Sequence, residues 1–369
     1  MNRVLVDARN ITPQRAGIGR YAQSLMVAMS ELESASDFHF SSLQNMQSPA
    51  QIGRFDVHGV KQKIGNVVDY LHAHRSINAI AKHISPSLFH SFFHITPRKL
   101  KVNCPAIITL HDTIWIDHAK SSQPTAFKAM TIKAFAKTAI PDSLRRADHV
   151  ICVSDATAER ATEWIPREKM TVIGHGVDSS FFATTKKSDL VRKYTHGGAK
   201  YICAIGNDKP YKNIRLLIDS FDSLNLPNVN LVLIGNCEGL GDHLDSLPNK
   251  NRIFLAGMLD DDALKRTLAH SALFVFPSLV EGFGLPILEA MAAGIPTVVS
   301  DLEPMRSVAS GASYLFNPAE KDALSSAISE AMHPSVALEL KRKGDEHARK
   351  QTWKKCAEKT LEVYRTLLE

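Results

Sequence analysis

The chain has 369 residues, with 44 basic and 38 acidic side chains and 44% hydrophobic content. That is about two domains of chain with apolar mass for two cores, which excludes disordered, collagen-like and disulfide-scaffold classes. The five cysteines are far apart, odd in number and form no CxxC, which points to a reducing, cytosolic compartment; no apolar run approaches the roughly 20 residues of a membrane span.

In chain order, Val4–Val6 reads as a short buried strand. The loop after it passes through Pro13–Ala16 into Gly17-Ile18-Gly19-Arg20-Tyr21-Ala22 and a helical pattern. Gly17, Gly19 and Ala22 formally match a dinucleotide fingerprint, which keeps an NAD-dependent oxidoreductase among the readings. Against it, nine residues separate Asp7 from Gly17, where the fingerprint needs its first glycine directly after the strand, and no acid for a ribose follows the strand-like run Phe38–Phe40. His90 and His94 follow another strand-like run. Ile107–Leu110 then leads into His111-Asp112, a pair suited to acid–base work, metal binding or sugar hydroxyl contacts, with no further ligands at metal spacing beside it.

Basic residues cluster at Arg98, Lys99 and Lys101, at Lys128, Lys133 and Lys137 among Phe127, Met130 and Phe135, and at Arg145-Arg146. Residues 1–180 hold 21 basic against 15 acidic side chains and residues 181–369 hold 23 of each, so the whole surplus of +6 lies in the first half. Such a half suits an anionic membrane surface or an acidic ligand; no zinc-finger or nucleic-acid recognition spacing supports a nucleic-acid partner. Val150–Val153 is the last clear strand before a polar stretch, Ser179–Lys200, which sets a domain boundary at 185/186.

The second half restarts the alternation with strands at Tyr201–Ile205, Val229–Ile234, Ile253–Leu255, Leu273–Phe276 and Thr297–Val299, and with helical patterns at Asn213–Leu224 and Asp261–His270. Alternation of this kind predicts α/β domains with parallel sheets, whose ligands sit beyond the carboxyl ends of the strands. Asp345–Glu369 reads as one long helix with Trp353, Cys356, Leu361, Tyr364 and Leu367 as its apolar stripe. Asp260-Asp261-Asp262 has the look of a metal-binding triplet but fits helix capping better.

Two loops after strands carry chemistry. Gly206-Asn207-Asp208-Lys209-Pro210-Tyr211-Lys212-Asn213 places cations where a departing diphosphate would need neutralising. Phe276–Met291 runs from a strand through a glycine-rich loop to a helix with Pro286 near its start, an anion site flanked by Glu281 and Glu289. Two carboxylates around an anion site suit a ligand with a phosphate between two polyols.

The run Pro-Ser-x-x-Glu-Gly-Phe-Gly-Leu-Pro-x-x-Glu-Ala-Met-Ala-x-Gly-x-Pro resembles the donor-site signature of the retaining glycosyltransferases of family four, which have the two-domain GT-B-type fold. The resemblance implies two facing Rossmann-like domains: residues 1–185 for the acceptor, joined by a returning C-terminal helix at 352–369, and residues 186–351 for the nucleotide-sugar donor. It implies that Glu281 contacts the transferred sugar and Glu289 the ribose, that backbone around Phe283, Gly284 and Leu285 binds the diphosphate, and that Lys212, in Pro-x-Lys-Asn after Gly206, meets the same diphosphate. Many relatives carry an arginine where this chain has Asn207, leaving Lys209 as the substitute cation. It further implies that Met258, after Gly257, packs on the base, that Gly17 belongs to the first-domain glycine loop (where Ala16 replaces a common glycine), and that His111 contacts the donor sugar.

The resemblance implies a metal-independent, cofactor-free enzyme. The His-Gly-Val-Asp and Pro-x-Lys-Asn patterns are similar to those of bacterial mannosyltransferases of surface polysaccharide synthesis, which implies GDP-mannose as donor and a saccharide or polyprenyl-diphosphate-linked saccharide as acceptor, handled in the cytoplasm or peripherally on the inner membrane face. A UDP-sugar such as UDP-glucose is the alternative donor, and a non-catalytic sugar-nucleotide-binding protein the alternative of another class.

Overall fold

A computed structural model describes residues 2–11, 17–46, 50–60, 73–123, 125–183 and 188–369. Residues 12–16 of the N-terminal glycine loop and the lysines at the 185/186 boundary therefore lie outside the described residues. The chain forms two compact units, one of Met1–Asp117, Met130–Gly176 and Trp353–Glu369, the other of His118–Ala129 and Val177–Thr352.

The first unit carries seven parallel strands: β1 (Asn2–Asp7), β2 (Phe38–Asn45), β3 (Asp56–Val60), β4 (Leu88–Ser91), β5 (Ala106–Leu110), β6 (His149–Cys152) and β7 (Met170–Val172). Their order is β3-β2-β1-β4-β5-β6-β7, so the direction of winding reverses between β1 and β4. The second unit carries β8 (Lys200–Ile205), β9 (Val229–Ile234), β10 (Ile253–Gly257), β11 (Leu273–Phe276), β12 (Thr297–Ser300) and β13 (Tyr314–Phe316) in the order β10-β9-β8-β11-β12-β13. There the reversal falls between β8 and β11, and a crevice for ligands opens beyond the strand ends at such a point.

The central strands read as unbroken apolar runs because helices cover both faces of their sheet. In the second unit Val232, Phe274, Phe276, Ile287 and Met291 share one core, while Leu231, Leu233, Val275, Phe221 and Ile328 share the core on the opposite face. Both expected parallel α/β sheets are thus present. The tail differs from the single helix read in the sequence. It breaks into Pro334–Ala348 and Trp353–Leu368, because Thr352 pairs with Val177 in an extended bridge and Val177 N donates to Gln351 O at 2.9 Å. The last helix belongs to the first unit, where it packs on the helix Gly17–Glu31 and buries Trp353, Cys356, Leu361 and Tyr364.

Candidate active site

In the second unit, the two strands flanking the reversal each end in one of the two motif loops. After β8, Gly206 N donates to Ile234 O at 2.9 Å, and the neighbouring Gly235 has φ +115°. A Cβ on Gly235 would lie 2.0 Å from the Gly206 carbonyl oxygen, so only glycine lets these two loops approach. Asn207 accepts from Lys209 N through Oδ1 at 3.0 Å and so closes a tight turn. Its role is to shape the loop that carries Lys209 and Lys212.

The loop after β11 is tied to this one: Leu279 N donates to Tyr211 O at 2.7 Å. The connection brings Lys212 Nζ to 2.5 Å from Glu281 Oε1, with the two side chains only 17% and 14% exposed. The ammonium also lies 5.4 Å from the Tyr211 ring centre and 5.6 Å from that of Phe276, within cation–π range of both. Sequence reading assigns Lys212 and Glu281 to different parts of a ligand; their pairing across 69 residues is a finding of the structure.

Beyond Glu281, Gly284 takes φ +115° and directs the chain into the helix Leu285–Ala292, with Pro286 in its first turn. The positive end of that helix dipole opens onto the motif loop, which suits phosphate. Phe283 is half-buried against the core, and Glu289 is 2% exposed within the helix. Met258 follows β10 with 63% of its surface exposed. Asp260 caps the helix Asp261–Ala269, accepting from Ala263 N at 2.8 Å, so the acidic triplet is a helix start.

In the first unit, β5 delivers His111, which is 5% exposed. Its Nε2 lies 3.0 Å from the Phe92 carbonyl oxygen, which can only accept, so Nε2 carries the proton and Nδ1 presents a lone pair. Burial lowers the His111 pKa to about 4, and His94 nearby adds to the effect against the Phe92 hydrogen bond and Asp112. The ring is therefore neutral near pH 7, an acceptor suited to a sugar hydroxyl. Tyr21 packs edge-on against it at 4.8 Å, and His175 stands 6.0 Å away, itself stacked on Trp353 at 5.7 Å. Sequence reading did not join these residues: it placed His175 in the His-Gly-Val-Asp pattern, Trp353 in the apolar stripe of the last helix and Tyr21 after the glycine loop.

Asp112 accepts from Ile114 N at 2.9 Å and shapes the turn after β5. His90 is fully buried between Tyr364 Oη at 2.7 Å and Thr109 Oγ1 at 2.9 Å, a structural placement; burial lowers its pKa, and that of His94, to about 3. Gly17 begins its helix exposed, and a Cβ built there meets nothing within 4 Å, whereas one on Gly19 would lie 2.8 Å from Asn10 O. Packing thus requires Gly19, while the space beside Gly17 is open among the described residues.

The basic clusters differ in kind. Arg98 meets Asp142 at 3.2 Å, and Arg146 donates to the carbonyls of Pro97 and Thr96 at 3.2 and 3.4 Å, so both serve tertiary structure. On the helix Ala126–Arg146, Lys128, Lys137 and Arg145 are exposed and Lys133 is half-buried. Phe127 and Met130 are exposed by 71% and 63%, while Phe135 packs on the core. No helix among the described residues is long and apolar enough to cross a membrane.

Residues 17–181 match the family model described as Glycosyltransferase Family 4, and residues 186–351 match that described as Glycosyl transferases group 1. The chain is 27% identical over 245 residues to O-antigen chain mannosyltransferase B of Escherichia coli, covering 63% of this chain and 64% of that one. It is 27% identical over 205 residues to O-antigen chain mannosyltransferase RfbU of Salmonella typhimurium, covering 53% and 54%. The chain thus spans less than two thirds of the length of each. Among solved structures, sucrose-phosphate synthase from Thermosynechococcus elongatus superposes with a TM-score of 0.80 at 17% identity, over 100% of this chain and 99% of that one, a likeness of fold.

Proposed function

We infer the reaction from the family: this chain belongs to the retaining glycosyltransferases of family four, with two parallel-sheet α/β domains of the GT-B type. It acts as a mannosyltransferase of polysaccharide biosynthesis. GDP-mannose is the donor, bound by residues 186–351, and the acceptor is a saccharide or a polyprenyl-diphosphate-linked saccharide bound by residues 1–185. The observation that carries the reading is the juxtaposition of Lys212 and Glu281 at the reversal of the second sheet. Names of the mannosyltransferase relatives support the sugar.

In this reaction the anomeric C–O bond to the diphosphate breaks while the acceptor oxygen attacks from the same face, and the acceptor's proton passes to the departing phosphate oxygen. Lys212 offsets the charge that grows on the leaving group, aided by Lys209 and by the positive end of the helix Leu285–Ala292. Glu281 accepts hydroxyl hydrogen bonds from the transferred sugar, and Glu289 accepts those of the ribose. Phe283, Gly284 and Leu285 supply backbone to the diphosphate, with Gly206 allowing close approach and Met258 lying under the base. His111 takes a sugar hydroxyl at Nδ1.

Labelled GDP-mannose, UDP-glucose and UDP-galactose, each offered with saccharide and polyprenyl-diphosphate-saccharide acceptors, test the assignment. Transfer from GDP-mannose is expected, and transfer from a UDP-sugar alone would replace the donor. Because protein cations and a helix dipole handle the diphosphate, activity is expected to survive EDTA unchanged. Loss on chelation with recovery on adding magnesium or manganese would overturn the metal-free mechanism.

A peripheral place on an anionic membrane face completes the reading. On the helix Ala126–Arg146, exposed Phe127 and Met130 are flanked by lysines, the arrangement of an interfacial helix. Each basic residue near an anionic surface contributes about 1 kcal/mol before screening. The full chain is expected to sediment with phosphatidylglycerol vesicles and not with phosphatidylcholine vesicles, less so as salt rises. Lys128→Glu, Lys133→Glu and Lys137→Glu together should abolish this; unchanged sedimentation of the triple variant would end the idea.

A further inference from the structure

We propose that Glu281 is the counter-ion which Lys212 gives up in exchange for the donor's diphosphate, so that sugar recognition by Glu281 becomes available only once the diphosphate is in place. The inference rests on the reading of this site as a nucleotide-sugar site and adds a condition to it. Lys212 Nζ and Glu281 Oε1 are 2.5 Å apart in a largely enclosed position, with the Tyr211 and Phe276 rings beside the ammonium. A charge-assisted bond of this kind, partly shielded from water, is stronger than anything a neutral hydroxyl can offer the same carboxylate. A free hexose therefore cannot displace Lys212 from Glu281.

A diphosphate can. It brings more negative charge than one carboxylate, and the head of the helix Leu285–Ala292 in the adjoining loop favours an anion. The backbones of the two loops are fixed to each other by the Leu279 N to Tyr211 O hydrogen bond of 2.7 Å, so the exchange falls to the side chains. Lysine suits it, with three donors on a flexible stem that can move while keeping its charge paired. Once Lys212 has turned to phosphate, Glu281 Oε1, until then held by the ammonium, is an acceptor for a sugar hydroxyl. The pair thereby selects hexoses carried on a nucleoside diphosphate over free hexoses.

Calorimetric titration of the full-length protein with GDP and with UDP tests this. Glu281→Gln, which is isosteric and frees Lys212 from its ion pair, is expected to bind the nucleoside diphosphate about fivefold more tightly than the wild type, the upper end of the scale for a partly screened ion pair. Lys212→Met should bind it at least about tenfold more weakly. In the Lys212→Met background, Glu281→Gln should change the affinity by less than about twofold, since there is no lysine left to release. Equal tightening in both backgrounds would mean that Glu281 merely repels phosphate, and no tightening in the Lys212 background would mean that the pair is not exchanged; either overturns the proposal. Wild-type protein needs no substitution for a second reading. Saturation-transfer NMR signals from mannose or glucose should require added GDP or UDP, and signals of equal strength without nucleotide would contradict the exchange. Wild-type protein that bound neither nucleotide would overturn the donor site itself, and the exchange with it.

Discussion

Lys212→Ala is expected to lower turnover by about 100- to 1,000-fold, the usual effect of removing one group that stabilises developing charge in a shielded site. The loss has two sources. Charge on the departing diphosphate grows as the glycosidic bond breaks, so a cation aimed there acts more strongly in the transition state than in the bound ground state. Its removal also leaves the Glu281 carboxylate, 14% exposed, without the ammonium 2.5 Å away, next to the place where phosphate must settle. The first source lowers kcat and the second raises KM, so steady-state kinetics with the true donor should show both. Lys212→Arg should restore part of the turnover, because charge is kept while the reach and shape of the head group change. An alanine variant with turnover within a few-fold of wild type would remove Lys212 from the reaction.

The second large effect concerns stability. Asp7 ends β1, beside the reversal of the first sheet, and accepts both Nε and Nη2 of Arg9 at 2.7 and 2.8 Å. Both side chains are fully enclosed, at 1% and 0% exposure. Asp7→Ala leaves a guanidinium in the interior without its carboxylate, which costs about 3–5 kcal/mol. For a unit of this size that corresponds to a drop in melting midpoint on the order of 10 °C, measurable by scanning calorimetry. Asp7→Ala combined with Arg9→Met should recover much of the loss, because the buried charge goes with its partner. A single variant melting within about 2 °C of wild type would show that the pair contributes little.

The core strands and the loop from Phe276 to Met291 were legible in the sequence for one physical reason. Strands covered on both faces must be apolar throughout, and a loop that combines a glycine turn with a proline-led helix has few substitutes. Of the four edge strands, β10 was legible, whereas β3, β7 and β13 were not. Each is short, and its outer side needs no unbroken apolar run; Asp56, for example, is exposed at the start of β3. The break between the last two helices was hidden because the residues around it, Arg349-Lys350-Gln351-Thr352, are acceptable in a helix; the pairing of Thr352 with Val177 overrides that propensity. The Lys212–Glu281 pair and the ring of Tyr21, His175 and Trp353 around His111 arise from positions far apart in the chain. Only the folded sheet order brings them into contact.

The helix Trp353–Leu368 has a consequence for how this protein is made. Tyr364, which hydrogen-bonds His90, lies 274 residues after it. At translation rates of about 5–20 residues per second, the first half therefore waits tens of seconds on the ribosome for the segment that covers it. Throughout that interval the nascent chain exposes the surface of the helix Gly17–Glu31 and of Phe38, later sealed by Tyr364 and its neighbours. The second unit ends at Thr352, before that helix, so the last residues of the first unit are made after those of the second. The early part of the polypeptide is the part that chaperones would hold longest.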